Sequence, residues 1–327
     1  MEFDFFDLMG CLTLGMMDSE KVREQYHASQ ISPKRYIYRP QSFGEYIGQS
    51  NAKELTKINL EKIRTTKFVH FIISGTKGTG KSTLAYIIAN ELGLKIETYV
   101  AGNFSMENLT AFVNANQKSK APMILFVDEI HGLEKSLGEF MYPLLEDFLW
   151  AIESVKVKPF IFIGATTDKN VLQKRLAPMI DRCQSINLEH YTSDDIKLIL
   201  KQYNDKIYQL NVSEDVYDVL SKNTRYTPRI ALSIFDDYVI VKDVKRVLQA
   251  HQIVRESLTT SDILILKHLI EIDKPVGAEV LSIIVQQTRQ DYQTLIEPFL
   301  IQDGYISRTA RGRLATEKAK TLVQEMK

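Results

Sequence analysis

The chain has 327 residues, 44% of them apolar and 25% charged, a composition typical of soluble globular proteins with two or three domains. Because 41 basic residues balance 41 acidic ones, the composition excludes a wholly basic nucleic-acid-binding protein but leaves room for a local basic patch. The two cysteines, far apart, form neither a disulfide framework nor a metal-ligand spacing. The acidic residues near the N-terminus argue against a secretory signal. The sequence also lacks the long uncharged apolar run that would predict a membrane span, so we expect a cytoplasmic protein.

Residues 1–33 form the first predicted segment, an N-terminal extension that begins apolar and acidic. It could dock on a partner or on the rest of the chain, and we expect the latter, because an exposed apolar tail is a liability in water. From 34 to 191, near-continuous apolar runs alternate with helical patterns, and three of these runs are VHFIIS (69–74), MILFVDE (123–129) and FIFIGATT (160–167). Such runs predict a parallel sheet covered by helices on both faces, which is an α/β domain.

The rest of the chain is predicted to be mostly helical. Residues 192–255 contain helical patterns that begin at Thr or Ser caps and no convincing strand pattern, so we expect a small helical domain. Residues 256–327 contain three amphipathic patterns followed by YISRTARGRLAT (305–316), which predicts two short strands turning near Arg311-Gly312. Three helices and a two-stranded wing indicate a winged helix-turn-helix domain.

The segment GTKGTGKS (75–82) matches the phosphate-binding pattern G-x-x-x-x-G-K-[ST]. It follows an apolar strand pattern and precedes an amphipathic helix, which is the context that this motif requires. Its glycines let successive backbone N–H groups point at phosphate, Lys81 supplies a positive charge to the β- and γ-phosphates, and the Ser82 hydroxyl suits Mg²⁺. We therefore predict a site for ATP/ADP and Mg²⁺. Its predicted nucleotide-binding residues are Gly75, Thr76, Lys77, Gly78, Thr79, Gly80, Lys81, Ser82 and Thr83.

Carboxylates and hydroxyls follow two further strand patterns. Asp128 and Glu129 end the run MILFV, and Thr166 and Thr167 end the run FIFIGA. Because ligands bind at the carboxyl ends of strands in open α/β sheets, Asp128 is predicted to hold Mg²⁺ through water, together with Ser82. Glu129 is predicted to orient and polarise the attacking water. One of the two threonines is expected to contact the γ-phosphate or this water.

A series of short motifs follows one another along the chain. They are YRP (38–40), YIGQ (46–49), GTKGTGKST (75–83), FVDEIHGL (126–133), YPLLEDF (142–148), GATT (164–167), APMIDR (177–182), TPRIA (227–231) and EPFLIQDGYISRTARGRLAT (297–316). This order resembles that of the RuvB family, bacterial AAA+ motors of Holliday-junction branch migration. The resemblance extends from about residue 39 to about residue 316, and its last motif is the most specific because most other AAA+ proteins lack it.

The resemblance implies a function and further site residues. It implies ATP hydrolysis by a homo-oligomeric ring, expected to be a hexamer, that translocates duplex DNA and drives branch migration at four-way junctions in recombination and repair. It also implies that Arg229 reaches the γ-phosphate from a helical lid and that Arg182 is the arginine finger that completes the neighbouring subunit's site. Arg175 is the alternative finger, and any of these arginines could instead be an ordinary surface residue. The residues implied to pack against adenine are Tyr38, Ile47 and Pro228.

The segment from 308 to 320 is the basic part of the predicted winged helix. A basic wing suits contact with DNA phosphates without reading of base sequence, and the resemblance implies the same contact. The alternative is a solvated basic hairpin that binds nothing. The predicted DNA-binding residues are Arg311 first, then Arg313 and Arg308.

The chain departs from the family pattern in three places. Only FLWAIESVKVK (148–158) occupies the position of the family's long β-hairpin, which docks the junction-binding partner RuvA. This shortening weakens the prediction of a RuvA-type partner. The phosphate-binding loop has Lys77 at a position that brings a further cation near the phosphates, and Tyr226 replaces the glycine of a G-T-P-R motif.

Three functions are therefore compared. The first is the ring motor that moves junction DNA, which the C-terminal wing favours. The second is an AAA+ loader or remodeller of a protein partner on DNA, like clamp and helicase loaders, which the short hairpin favours. The third is a non-catalytic DNA-binding scaffold that only senses ATP, which Glu129, Arg182 and Arg229 argue against.

Overall fold

The computed structural model describes residues 38–65 and 67–326. The chain divides into an N-terminal unit, Met1–Arg39, and a second unit, Pro40–Lys327, whose architecture follows. The predicted extension over residues 1–33 lies outside the described residues. Within the described part of the chain, no helix combines the length and apolarity needed to cross a membrane.

The first part of the second unit alternates helices with strands, as the apolar runs predict. Its elements in chain order are α1 (Ser50–Thr65), β1 (His70–Ser74), α2 (Lys81–Leu92), β2 (Ile96–Val100), α3 (Met106–Lys118), β3 (Ile124–Asp128), α4 (Lys135–Asp147), β4 (Leu149–Trp150), β5 (Val155–Lys156), β6 (Ile161–Thr166), α5 (Lys169–Asp181) and β7 (Cys183–Asn187).

Five of these strands form one parallel sheet in the order β2-β3-β6-β1-β7. Every residue of β1 and β6 is buried, because helices cover both faces of the sheet. One apolar cluster, which includes Phe112 and Phe162, fills one face, and a second cluster with Phe71 and Leu84 fills the other. The predicted α/β domain with a parallel central sheet is confirmed.

The strand order determines which residues meet at the carboxyl edge of the sheet. Because β6 lies between β3 and β1, the carboxyl ends of these three strands are adjacent. The phosphate-binding loop follows β1, Asp128 ends β3 and Thr166 ends β6. Residues far apart in sequence are thereby brought to one place.

The short segment between α4 and β6 forms a small hairpin. Its strands pair antiparallel over two positions, Leu149 with Lys156 and Trp150 with Val155. Trp150 is buried, and its ring centroid lies 5.1 Å from that of Phe140 in edge-to-face contact. The hairpin is therefore present, but it is as short as the sequence predicts.

A helical region follows the sheet. It begins at α6, where Thr192 and Asp195 form a capping box, and its helices are α6 (Ser193–Tyr203), α7 (Glu214–Lys222), α8 (Pro228–Val241) and α9 (Val244–Ala250). The expectation of no strand is wrong at its end. There β8 (Ile253–Arg255) pairs with β9 (Leu258–Thr259), and the hairpin leads into the last domain.

The C-terminal domain is a winged helix. Its elements are α10 (Thr260–Ile272), α11 (Ala278–Ile284), α12 (Arg289–Asp291), α13 (Glu297–Gln302), β10 (Ile306–Thr309), β11 (Gly312–Ala315) and α14 (Glu317–Glu325). A π-helical turn joins α12 to α13, which together form the third predicted helix. The strands β10 and β11 pair antiparallel as the predicted wing.

The helix α14 was not among the predicted elements. Thr316 caps its first turn, and Ala319, Leu322 and Val323 are buried in the domain core. Lys318 and Lys320, which the sequence pattern groups with the basic wing, belong to this helix. The wing is therefore less basic than the sequence suggests.

Candidate functional site

The phosphate-binding loop, residues 75–82, has a backbone that requires glycine. Gly78 and Gly80 have φ angles of +85° and +97°, in the left-handed region. A Cβ at Gly80 would lie 2.9 Å from the Tyr46 hydroxyl oxygen. The loop leads directly into α2, which begins at Lys81 and directs its N-terminal backbone N–H groups and dipole at the loop.

Lys81 is held inside this loop. Its side-chain nitrogen donates to the carbonyl oxygens of Gly75 and Thr76, each at 2.9 Å. Burial lowers the pKa of Lys81, whereas the nearby charges of Glu129 and Asp128 raise it. The two hydrogen bonds hold the Lys81 nitrogen at the place where the loop would bind phosphate.

Two tyrosines hold the loop from outside, and sequence reasoning missed both as site residues. The hydroxyls of Tyr46 and Tyr191 donate to the Thr79 carbonyl oxygen at 3.5 Å and 3.1 Å. Burial raises the pKa of each hydroxyl, so both remain protonated donors. Tyr46 stands in the YIGQ motif and could have been found there, but no motif marks Tyr191.

A hydroxyl and a carboxylate meet below the loop. The Ser82 hydroxyl donates to Asp128 Oδ2 at 3.0 Å. Mg²⁺ in phosphate-transfer sites typically keeps several waters and few protein ligands, so this oxygen pair suits it. Among residues 38–65 and 67–326 no group of three or more His, Cys, Asp or Glu side chains could hold a metal.

Glu129 follows β3 with a strained backbone. Its φ of +51° is uncommon for a residue with a Cβ, and such strain concentrates at functional sites. Its carboxylate oxygen Oε2 accepts a hydrogen bond from the Thr167 hydroxyl at 2.9 Å and lies 3.4 Å from His131 Nδ1. The Glu129 side chain is 41% exposed, so water reaches it.

The two candidate threonines have different surroundings. Thr166 is fully buried, and its hydroxyl lies 3.1 Å from His131 Nδ1 and accepts from the Asp168 backbone N–H. Thr167 is the one that contacts Glu129. The geometry therefore favours Thr167 as the residue beside the attacking water, with Thr166 orienting His131, another site residue that sequence reasoning did not single out.

Arg175 and Arg182, the two candidate arginine fingers, also differ. Arg175 donates to the carbonyl oxygens of His131 at 2.9 Å and Leu133 at 3.1 Å, so it supports the turn after Glu129 in its own subunit. Arg182 caps the end of α5, pairs with Glu146 and donates to the Pro178 carbonyl oxygen at 2.7 Å. Both guanidiniums are therefore engaged within this chain, and the choice of Arg182 as the finger stays a prediction from the family resemblance.

The start of α8 packs against the phosphate-binding loop. A Cβ added to Gly78 would lie 2.7 Å from Thr227 Cγ2 and 3.2 Å from Arg229 Cβ. The positive charge of Arg229 also lowers the pKa of Lys81. A cleft of about 240 Å³ lies here, and its lining includes Lys77, Arg229 and Phe299 of the winged helix.

The three residues implied to pack against adenine are each half-buried. Ile47 lies beside Tyr46, and Pro228 is the first residue of α8. Tyr38 belongs to the N-terminal unit. Their role stays a prediction.

The wing presents two of its three predicted DNA-binding arginines. Arg308 and Arg311 are exposed. Arg313 is buried, and its guanidinium donates to both carboxylate oxygens of the buried Glu297, at 2.9 Å and 2.8 Å. The prediction that Arg313 binds DNA is therefore corrected, because a paired and buried guanidinium is not available to phosphate.

Known proteins resemble most of the chain. Residues 38–187 match the model of the Holliday junction DNA helicase RuvB P-loop domain, and residues 256–324 match that of the RuvB C-terminal winged helix domain. The chain is 33% identical to the RuvB subunit of the Holliday junction branch migration complex of Fervidobacterium nodosum, over 92% of this chain and 94% of that one. With the corresponding Acholeplasma laidlawii subunit it shares 34% identity, over 88% of this chain and 91% of that one. The chain belongs to the RuvB family.

The structure agrees with this membership. The RuvB branch migration motor of Thermotoga maritima superposes with a TM-score of 0.74 at 31% identity, covering 88% of this chain and 98% of that one. The predictions of a nucleotide-binding P-loop ATPase of the AAA+ class and of a C-terminal winged helix are confirmed. In this RuvB-family chain, the roles of individual site residues stay predictions.

Proposed function

We propose that this chain is the ATP-hydrolysing subunit of a hexameric ring that translocates duplex DNA and drives Holliday-junction branch migration in recombination and repair, in the cytoplasm. One observation carries the proposal: Ser82, Asp128, Glu129 and Thr167 converge beneath the phosphate-binding loop of a chain that also ends in a winged helix. Its relatives are named as branch migration complex subunits. In this proposal residues 34–191 form the ATPase domain, 192–255 the lid and 256–327 the DNA-binding domain.

The arrangement assigns a role to each side chain. The backbone N–H groups of the loop and Lys81 bind the phosphates of ATP, whose product is ADP. Mg²⁺, held by Ser82 and through water by Asp128, would neutralise charge on the β- and γ-phosphates. Glu129 orients and polarises the attacking water, and the Thr167 hydroxyl fixes the Glu129 carboxylate.

Two arginines would complete the site at the transition state. Arg229 lies beside the phosphate-binding loop and would reach the γ-phosphate from the lid. Arg182 would enter the neighbouring subunit's site, which links hydrolysis to ring assembly. Because a guanidinium remains charged and forks toward two oxygens, it suits the charge that develops during phosphoryl transfer.

Duplex or four-way-junction DNA is the proposed substrate, bound through the exposed Arg308 and Arg311 of the wing. The proposed protein partner is a RuvA-type junction-binding protein. The hairpin that would meet it has strands of two residues each, so this partner would find a small docking surface.

The test is ATP-driven branch migration of a synthetic four-way junction. Glu129→Gln should abolish both ATP turnover and junction movement, while nucleotide still binds. Glu134→Gln, the same change at an exposed position five residues further along, should behave like the wild type. Full turnover in the Glu129→Gln variant would rule out its assigned role.

The loader alternative predicts a different result. A loader would hydrolyse ATP in the presence of DNA without moving a junction, and it would release a protein partner on hydrolysis. Similarity to branch migration subunits along most of the chain favours the motor. Turnover without junction movement, with or without a RuvA-type partner, would favour the loader.

A further inference from the structure

The turn before α8 links two parts of the molecule. Arg225 and Tyr226 in this turn have φ angles of +49° and +50°. Two consecutive left-handed residues are unfavourable when both carry a Cβ, so tertiary contacts must hold them. The turn leads directly into Thr227 and Arg229.

The Arg225 side chain makes several contacts with the winged helix, including hydrogen bonds to the Ser257 carbonyl oxygen and the Thr259 hydroxyl. One guanidinium nitrogen pairs with the fully buried Asp262 of α10, and another donates to the Leu295 carbonyl oxygen at 3.0 Å. The guanidinium carbon also lies 4.9 Å from the centroid of the Phe299 ring. A charge pair with one fully buried member is sensitive to small displacements, because the loss of either partner leaves the other uncompensated.

Tyr226 adds an apolar contact in the same direction. Its ring packs against the winged-helix core cluster, which includes Leu266 and Phe299. A left-handed φ would suit glycine better, so this packing compensates the strain that the tyrosine backbone carries. The turn is therefore anchored to the winged helix by a charge and by a ring.

The other end of the turn contacts the phosphate-binding loop. Thr227 and Arg229 lie against Gly78, and the Thr227 hydroxyl donates to the Arg225 carbonyl oxygen at 3.0 Å. One short segment thus touches both the loop that binds phosphate and the domain that carries the wing. A displacement of this segment at the phosphate-binding loop can therefore be transmitted along its backbone to the winged helix, and the reverse.

We propose that Arg225 is a positioning residue that couples the nucleotide state of the ATPase domain to the DNA affinity of the winged helix. The proposal rests on the function proposed above. The ATP-bound and ADP-bound loops would hold Thr227 and Arg229 differently, and the Arg225–Asp262 pair transmits that difference to the winged helix. Coupling of this kind is reciprocal, so DNA also changes nucleotide affinity by the same factor.

The variant that tests this is Asp262→Asn in the full chain. Asp262 Oδ2 also accepts from the Thr259 backbone N–H at 2.6 Å and the Thr259 hydroxyl at 2.7 Å, because Thr259 is the N-cap of α10 and Asp262 is the N3 member of its capping box. Asparagine keeps an acceptor for the cap and removes the charge. Asp291→Asn is the matched control, because Asp291 occupies the same N3 position of α12 in the same domain, and its carboxylate accepts from the hydroxyl of the N-cap Thr288.

The measurement is the ratio of duplex DNA dissociation constants with ADP and with a non-hydrolysable ATP analogue. We expect the wild type and Asp291→Asn to show a ratio of about 5 to 150 in either direction, the usual range of allosteric coupling. Asp262→Asn should bring the ratio to within about twofold of one, with both nucleotides still binding. A wild-type ratio in Asp262→Asn would overturn the proposal.

Arg225→Lys provides a second, independent variant. Lysine keeps the charge toward Asp262 but cannot also place a planar donor at the Leu295 carbonyl and over Phe299. We expect the ratio to move toward one here as well, and an unchanged ratio would count against the coupling even if Asp262→Asn fails to fold. Junction movement by the wild type, measured separately, tests the motor itself. A wild type that moves junctions with a ratio of one would overturn the coupling alone.

Discussion

The ion pair between Arg313 and Glu297 gives the sharpest test of where the DNA-binding surface lies. The two side chains are 9% and 4% exposed, and two hydrogen bonds join them at 2.9 Å and 2.8 Å. Arg313→Met leaves the Glu297 carboxylate buried without its cation. Breaking a buried pair in this way typically costs about 3–5 kcal/mol, so we expect the free energy of unfolding to fall by about that amount.

A double variant separates the pair's stability role from a DNA contact. Arg313→Met combined with Glu297→Met removes both charges, and replacing a buried pair by apolar side chains is often neutral. We therefore expect the double variant to recover to within about 2 kcal/mol of the wild type, as measured by urea denaturation followed by circular dichroism. Its duplex affinity, measured by fluorescence anisotropy, should equal that of the wild type.

Arg311→Ala serves as the comparison because its side chain is exposed. Its unfolding free energy should change by less than about 0.5 kcal/mol, whereas its duplex affinity should fall. If the folded double variant lost as much duplex affinity as Arg311→Ala, Arg313 would be a DNA contact and the reasoning from burial would be refuted.

Three further results are expected. Arg311→Ala should make the slope of log duplex affinity against log salt concentration shallower by about one, and this change should be the same for every duplex sequence. An unchanged slope would mean that the wing does not contact DNA. Thr167→Val should lower kcat by about 10- to 100-fold with nucleotide affinity kept, whereas Thr166→Val should retain turnover; equal effects on kcat would contradict the assignment. Burial lowers the pKa of His70 from 6.5 to about 4, so the folded state resists its protonation. The free energy of unfolding should therefore fall by about 1.4 kcal/mol for each unit by which the pH decreases from 6.5 to 4. The His70→Gln variant cannot titrate at this position, so its stability should depend less on pH. The same slope in both proteins would refute this account.

The sheet and the phosphate-binding loop were predictable because local patterns specify them. An apolar strand, a glycine-rich turn and an amphipathic helix are consecutive in sequence, and each has its own period or motif. The pairing of Ser82 with Asp128 depends on strand order, which no local pattern encodes. General knowledge that ligands lie at the carboxyl edge of α/β sheets was enough to anticipate it.

Side-chain direction is where sequence reasoning was weakest. Arg311 stands in the turn of the wing and Arg313 in β11, so neighbouring basic residues point to different surroundings, one to solvent and one to the buried Glu297. Similarly, Thr166 still belongs to β6 and is buried, while Thr167 lies just past the strand and is exposed. Composition alone cannot make these distinctions, because they depend on tertiary partners.

The short hairpin also makes the chain its own optical reporter. Trp150 is the single tryptophan of the sequence, and it is buried against Phe140 at the base of β4. Fluorescence excited at the red edge of protein absorption therefore comes from this one tryptophan, and no added label is needed. Two-residue strands form few backbone hydrogen bonds, so the hairpin should open easily. A protein that binds or unfolds the hairpin would therefore change the solvent exposure of the Trp150 indole and shift its fluorescence emission.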